Sequence, residues 1–286
     1  MSATSPRAAA HDFDLAWLDL REPVDHRSRS EDLGRELSRR LGQRTSISVL
    51  DMGCGTGSNL RATAPLLGPE QHWTLVDKDE RLLEAAVARL CTWAASAERS
   101  GGRLVLNKEG KRIAVRFTRA DLARDLEQVL DVDADLYTAS ALFDLVSDDF
   151  IATVAAEVAR RRAAFFTALT YNGVQRWTPK HEADAALASA FRSHQSRDKG
   201  FGVAAGPIAP ALLSAAFDEA GYTVSEGDSG WHLSAGDEAL TEALAAGFAA
   251  AVRETRLVPD VKLRDWLAVG RSGALVGHTD TLAIPP

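Results

Sequence analysis

The stretch Ser46-Ile-Ser-Val-Leu-Asp51-Met-Gly53-Cys-Gly55-Thr-Gly57-Ser-Asn59-Leu60 reads as a buried strand, a glycine turn and the start of a helix. Its strand part is short, apolar and β-branched, and glycine then occupies every second position. Glycine there lets the backbone take φ > 0 and admits a ligand where a Cβ would stand in the way. A helix beginning at Ser58 or Asn59 points free N–H groups and the positive end of its dipole into the turn. Such a turn binds a nucleotide-like cofactor or an anionic group.

Spacing narrows the choice. A dinucleotide turn reads G-x-G-x-x-G, its third glycine packing helix on strand. Here Gly57 follows Gly53 and Gly55, and position 58 is serine. A P-loop needs Lys-Ser/Thr after its last glycine, and the chain has none there.

Downstream, strands and helices alternate. A helix over 59–67 stops at Gly68-Pro69, and a strand over 71–76 ends in Asp77, 20 residues after Gly57. An acid at that place accepts hydrogen bonds from a ribose diol. Its bland alternative is a helix cap, but Asp79 suits the helix over 80–95 better. A hairpin around 107–110 and a third strand over 113–118 lead to Asp121-Leu122. A fourth strand over 135–141 runs into Leu142-Phe-Asp144, and a helix starts near Ser147. A fifth strand covers 163–170. This alternation predicts a doubly wound, mostly parallel sheet with helices on both faces. Right-handed crossovers then bring Asp51, the glycine turn, Asp77, Asp121 and Ser140–Leu142 to one edge.

Bulk properties fit a soluble globular protein. The 286 residues are 45% hydrophobic and 26% charged, with net charge −7 and pI ≈ 5.5. That balance argues against a nucleic-acid partner. Residues 1–45 hold eight arginines and eight acids, so the arm is not a basic tail. The two cysteines, Cys54 and Cys91, offer no metal or disulfide framework, and no metal site is expected. No apolar run suits a membrane and no signal-peptide core opens the chain, so the cytoplasm is the expected compartment.

With Val49-Leu-Asp-Met-Gly-Cys-Gly-Thr-Gly57, Leu75-Val-Asp77, Arg119-Ala-Asp-Leu122 and Thr138-Ala-Ser-Ala-Leu142, the chain resembles the class I S-adenosylmethionine (SAM)-dependent methyltransferases over residues 45–235. The resemblance implies a Rossmann-like seven-stranded sheet that ends in an antiparallel pair, here 222–226 with 231–234. It implies SAM as cofactor. Asp51, Gly53, Cys54, Gly55, Gly57 and Asn59 would hold the methionine part. Asp77 with Lys78 would hold the ribose, and Asp121 with Leu122 the adenine. Ser140, Ala141 and Leu142 would border the methyl group. Family members acting on exocyclic amines of nucleic-acid bases carry Asn/Asp-Pro-Pro-Tyr/Phe after the fourth strand. Here Ser140-Ala-Leu-Phe143 stands instead, and neither cysteine suits attack on a pyrimidine.

Three divisions follow: a helical arm or lid (1–45), a SAM-binding domain (46–235) and C-terminal helices with an extended tail (236–286). In the arm, a short helix capped at Asp12 or Asp14 is expected to break at Glu22-Pro23, before an amphipathic helix over 25–41. Trp17, Arg21 and Arg29 are its lid candidates. After the fifth strand a helical insertion (171–206), with a helix over 180–193, is expected to cap the acceptor. Its catalytic candidates are Tyr171, His181 and His194. Its substrate candidates are Tyr171, Asn172, Trp177, Asp198, Lys199 and Phe201, joined by Arg21. The expected activity is methyl transfer to a small molecule on O, N or C, with a homodimer allowed. A protein or RNA acceptor and a non-catalytic SAM-binding scaffold are the alternatives.

Overall fold

The computed structural model describes residues 14–286; the tail expected over 1–11 and a cap at Asp12 lie outside them. Two helices come first, α1 (Leu15–Ser28) and α2 (Glu31–Leu41), with Asp14 capping α1. The expected break at Pro23 is absent, because α1 runs through it. The chain turns at Arg29 instead, where the Ser30 side chain accepts the Leu33 N–H and caps α2. A hydroxyl that satisfies an orphan donor outweighs one missing N–H on an exposed turn.

The first half then lays down β1 (Ser46–Met52), α3 (Ser58–Thr63), β2 (Glu70–Asp77), α4 (Glu80–Trp93), β3 (Ser96–Ser100), β4 (Arg103–Lys108) and β5 (Lys111–Arg119). Next come α5 (Leu122–Leu130), β6 (Leu136–Ser140), α6 (Asp148–Arg160) and β7 (Ala164–Thr178). The remainder is α7 (Asp184–Gln195), α8 (Ala209–Glu219), β8 (Thr223–Asp228), β9 (Trp231–Leu233), α9 (Glu238–Thr255), α10 (Asp260–Ala268) and β10 (Gly273–Ile284).

These strands form one sheet in the order β3-β4-β5-β2-β1-β6-β7-β10-β8, with β9 also on β10. The middle five, β5 to β7, are parallel. Leucines of α2, α3 and α4 pack on one face, and α5, α6 and α8 cover the other. The architecture is thus α/β and doubly wound, as expected, but with ten strands where seven were expected. The additions are short: Gly101-Gly102 and Glu109-Gly110 all take φ > 0 and turn β3-β4-β5 as tight hairpins.

Two further expectations are corrected. The 222–226 and 231–234 segments do not pair with each other; β8 and β9 both pair antiparallel with β10. The supposed C-terminal tail is therefore an interior strand. Its pattern was hard to read because Asp280, fully buried, interrupts it. A register shift lies there, opposite Leu169 at φ 60°, and the Asp280 carboxylate accepts the Leu169 N–H at 2.8 Å in place of a ladder bond. The fifth strand is the other correction. It does not stop at residue 170 but continues to Thr178 against β10, so the segment after Tyr171 begins as strand. The helix expected over 180–193 starts later, at Asp184.

Candidate functional site

The glycine turn sits at the carboxyl ends of the parallel strands. Gly53, Gly55 and Gly57 take φ of 64°, 52° and 76°. An ideal Cβ on Gly55 would meet nothing within 4 Å, so its open side faces free space. Behind the turn Asp51 is fully buried. Its Oδ1 accepts the Asn59 amide at 2.7 Å, and its Oδ2 has no partner. Burial pushes its carboxyl up to about 7, against the pull of Asn59 and the Arg29 cation. Cys54 is buried beside it, and burial raises its thiol well above the ordinary value, which makes it a packing residue.

Asp77 fastens this turn. One carboxylate oxygen accepts the Gly55 N–H at 2.9 Å and the other accepts the Asp79 N–H at 3.0 Å. Asp79, as the spacing predicts, caps α4. Each Asp77 oxygen keeps a free lone pair for a ligand hydroxyl. Lys78 is exposed, and its carbonyl faces Arg119. Asp121 spends one oxygen on the Ala123 N–H as the cap of α5, while Leu122 is buried beneath. Ser140 ends β6, Ala141 takes φ 53°, and Leu142 packs 3.5 Å from where a Gly53 Cβ would stand. Non-glycine residues in that conformation carry strain of about 1–3 kcal/mol and concentrate at ligand sites.

Helix α1 lies across this edge. On one side Glu22 pairs with Arg61 at 2.6 Å, His26 meets the Ser58 hydroxyl at 2.9 Å, and Asp19 accepts from Arg89 at 2.7 Å. On the other side Arg27 pairs with Asp237 at 2.6 Å, and the Trp231 indole donates to Asp25 at 3.1 Å. Arg21 is held by Asp25 at 2.8 Å and lies over the Trp231 ring at 5.0 Å. Trp17 packs on Trp231, with ring centroids 6.4 Å apart. Arg29, at the α1–α2 junction, donates to Asn59 and Thr63.

Tyr171 on β7 faces His278 on β10, with ring centroids 6.3 Å apart, and Phe191 of α7 packs on it. Burial and then Asp144 push the Tyr171 phenol up to about 12, so at neutral pH it stays protonated and cannot act as a base. His278 is buried against Trp231, and burial with nearby Arg21 drops its imidazole to about 3. The acid sequence reasoning passed over is Asp144, in a short turn (143–145) after β6. Burial raises it to about 6, opposed by N–H groups of Asp144 and Tyr171, then by Arg21 and Lys199. The available signal was an acid two residues past Leu142, the segment already marked as bordering the reaction.

The histidines end up elsewhere. His194 has both ring nitrogens engaged: Nε2 with Glu254 at 3.1 Å and Nδ1 with the Lys199 ammonium at 3.3 Å. It holds Lys199 rather than facing an acceptor. His181 Nδ1 accepts the Ala183 N–H at the entry to α7. Trp177 lies nine residues beyond Ala168, which is level with Ser140 at the sheet edge. That is about 30 Å along a strand. There Trp177 is buried between Phe248 and Trp266. The structure brings neither Trp177 nor His181 to the edge. Asn172 bonds Thr279, Asp198 closes a turn onto the Gly200 and Gly202 N–H groups, and Phe201 packs on Phe150.

No family model and no curated protein sequence matches the chain. Among solved structures, a cyclopropane-fatty-acyl-phospholipid synthase-like protein from Lactobacillus casei superposes with a TM-score of 0.54 at 17% identity, covering 96% of each chain. The fold is that of the class I methyltransferases. A cyclopropane synthase from Mycobacterium tuberculosis covers 96% of this chain and 100% of its own at 12% identity and TM-score 0.47. A SAM-dependent methyltransferase from Thiobacillus denitrificans, in complex with S-adenosylhomocysteine, covers 95% and 99% at 16% identity and TM-score 0.44. Among the described residues no group of acids, histidines and cysteines suits a metal ion, and no helix is long and apolar enough to cross a membrane.

Proposed function

We propose that this chain transfers a methyl group from SAM to a small-molecule acceptor. The observation that carries the reading is the pairing of a ligand-ready glycine turn with a helix strapped over its edge. Three features fit the cofactor. Gly55 presents open backbone where a side chain would intrude. The unpartnered Asp51 Oδ2 suits a cationic amino group behind the turn. Asp77 offers free lone pairs to ribose hydroxyls. An edge spanned by α1 favours a small acceptor over a polymer, which needs an open groove. The arm would then act as the lid, and Arg21, Tyr171 and Lys199 would contact the acceptor.

SAM, when bound, supplies a methyl group already activated by its sulfonium. The chain's own work is to orient the acceptor, exclude water and hold the acceptor's proton. Asp144 is the group suited to the last task. A carboxyl near 6 is largely ionised at neutral pH yet basic enough to receive a proton. Tyr171 would donate a hydrogen bond to the acceptor, and Lys199 would favour its anionic form.

Titration calorimetry with S-adenosylhomocysteine tests the cofactor half: micromolar binding is expected, and no binding sinks the reading. A methylation screen over phenols, amines and hydroxy acids against a protein and an RNA pool tests the acceptor half. Label found only in a polymer would overturn it.

The same titration has a pH signature. A cation bound at Asp51 favours the ionised carboxyl, so binding expels a proton from a group that titrates near 7 in the free protein. Affinity should therefore rise about tenfold per pH unit below 7 and level off above it. Asp51→Asn should abolish the slope. For stability the sign is opposite. This raised carboxyl favours the fold at pH below about 4, and that contribution is lost as pH climbs through 7.

A further inference from the structure

We propose that Glu22 and Arg61 are positioning residues that lock the cofactor turn to helix α1, so that α1 must disengage before the cofactor leaves. This rests on the SAM-binding reading above.

Arg61 occupies an unfavourable place. It lies in the last turn of the six-residue α3, and its charged side chain is only 6% exposed. Desolvating a guanidinium is costly, and buried ion pairs are poor stabilisers compared with apolar packing. Its contacts show what this placement achieves. Nη1 donates to the Thr56 carbonyl, in the middle of the glycine turn, at 2.8 Å. Nε and Nη2 donate to the two carboxylate oxygens of Glu22 at 2.8 and 2.6 Å. Nη1 also lies 3.6 Å from where a Gly57 Cβ would stand. One planar fork thus joins the ligand-binding backbone to α1, which a lysine's point charge could not do. The turn is held from both sides: Asp77 takes the Gly55 N–H, and Arg61 takes the Thr56 carbonyl.

Helix α1 has the energetics of a part that comes off. Among its residues only Val24 is a fully buried hydrophobe, with Asp25 buried beside it. Helix α2 buries Leu33, Leu37 and Leu41 fully against the core. So α2 is anchored by buried leucines, whereas α1 adds to Val24 only the partly buried Trp17 and Leu20 and is otherwise held by ion pairs and hydrogen bonds at its flanks. Between them lies the Arg29 junction, with extended backbone (ψ 144°). Elements with few buried apolar contacts open locally at low cost.

The test uses S-adenosylhomocysteine as the probe and the full chain. Glu22→Gln is expected to raise its dissociation constant about tenfold. Most of the change should be in the dissociation rate by surface plasmon resonance, with the association rate within about threefold of wild type. Arg35→Ala, an exposed change on α2, should leave both rates unaltered. The double variant Glu22→Gln/Arg61→Gln separates positioning from stability. With no unpaired buried charge it should regain thermal stability relative to Glu22→Gln alone, yet keep the fast dissociation, because Thr56 is still released. Should Glu22→Gln fail to fold, hydrogen exchange on the wild-type protein decides. Amides of 15–28 and 56–61 should gain protection together when the probe is added. Wild-type dissociation in a folded Glu22→Gln variant, or unchanged exchange in 15–28, overturns the proposal. A wild-type protein that does not bind the probe at all overturns the cofactor reading, and the lock with it.

Discussion

Gly55→Val is expected to reduce S-adenosylhomocysteine affinity at least a hundredfold while leaving a folded protein. Two physical effects act at once. At φ 52° a residue with a Cβ pays about 1–2 kcal/mol of backbone strain, which a domain of this size survives. The added Cβ meets no protein atom within 4 Å outside its chain neighbours. It projects instead into the space assigned to the ligand. Calorimetry measures the affinity, and a thermal melt shows whether the fold is kept. Affinity within threefold of wild type, in a folded variant, would place the ligand elsewhere.

Asp77→Ala should weaken the same ligand about a hundredfold. Hydrogen bonds to a charged group contribute about 1.5–3 kcal/mol each, and two lost to the ribose diol at the low end of that range amount to about two decades of affinity. The structure adds a complication that the sequence did not suggest. Asp77 also accepts the Gly55 and Asp79 N–H groups, so alanine loosens the turn as well as removing the ribose contact. Asp77→Asn separates the two roles. Its amide oxygen can keep the Gly55 N–H, while its NH2 can accept neither the Asp79 N–H nor a ribose hydroxyl, so half of the acceptor capacity is lost. The asparagine protein should melt above the alanine variant and still bind about tenfold more weakly than wild type. Full recovery of affinity in Asp77→Asn would assign Asp77 to fastening the turn alone.

The glycine turn and the acids at the strand ends were legible because their signals are local. Glycines that need φ > 0 and acids at strand ends are written within a few residues of the backbone they serve. Asp79 as the α4 cap and Ser147 as the α6 cap follow the same short-range logic. The acceptor half was misread for the converse reason. His181 and His194 stand in a polar, aromatic segment that resembles a site, yet their ring nitrogens are spent on Ala183, Glu254 and Lys199. Trp177 was assigned to stacking on the assumption that the chain leaves the sheet at residue 170. Because β7 continues against β10, Trp177 is carried away into the packing of α9 and α10. Asp144 escaped notice because its raised pKa comes from burial, which spacing does not reveal.

By itself, then, the sequence determined a doubly wound sheet, the glycine turn at its edge and the acids that ring it. These depend on hydrophobic period, backbone conformation and capping, all of which act over short stretches of chain. Only the tertiary structure decided what closes that edge. The place of β10 between β7 and β8 rests on long-range pairing. The burial of Asp280 against Leu169 joins residues 111 apart, and the grip of Glu22 on Arg61 joins residues 39 apart. Contacts of that kind take their strength from desolvation and geometry, which exist only once the chain has folded.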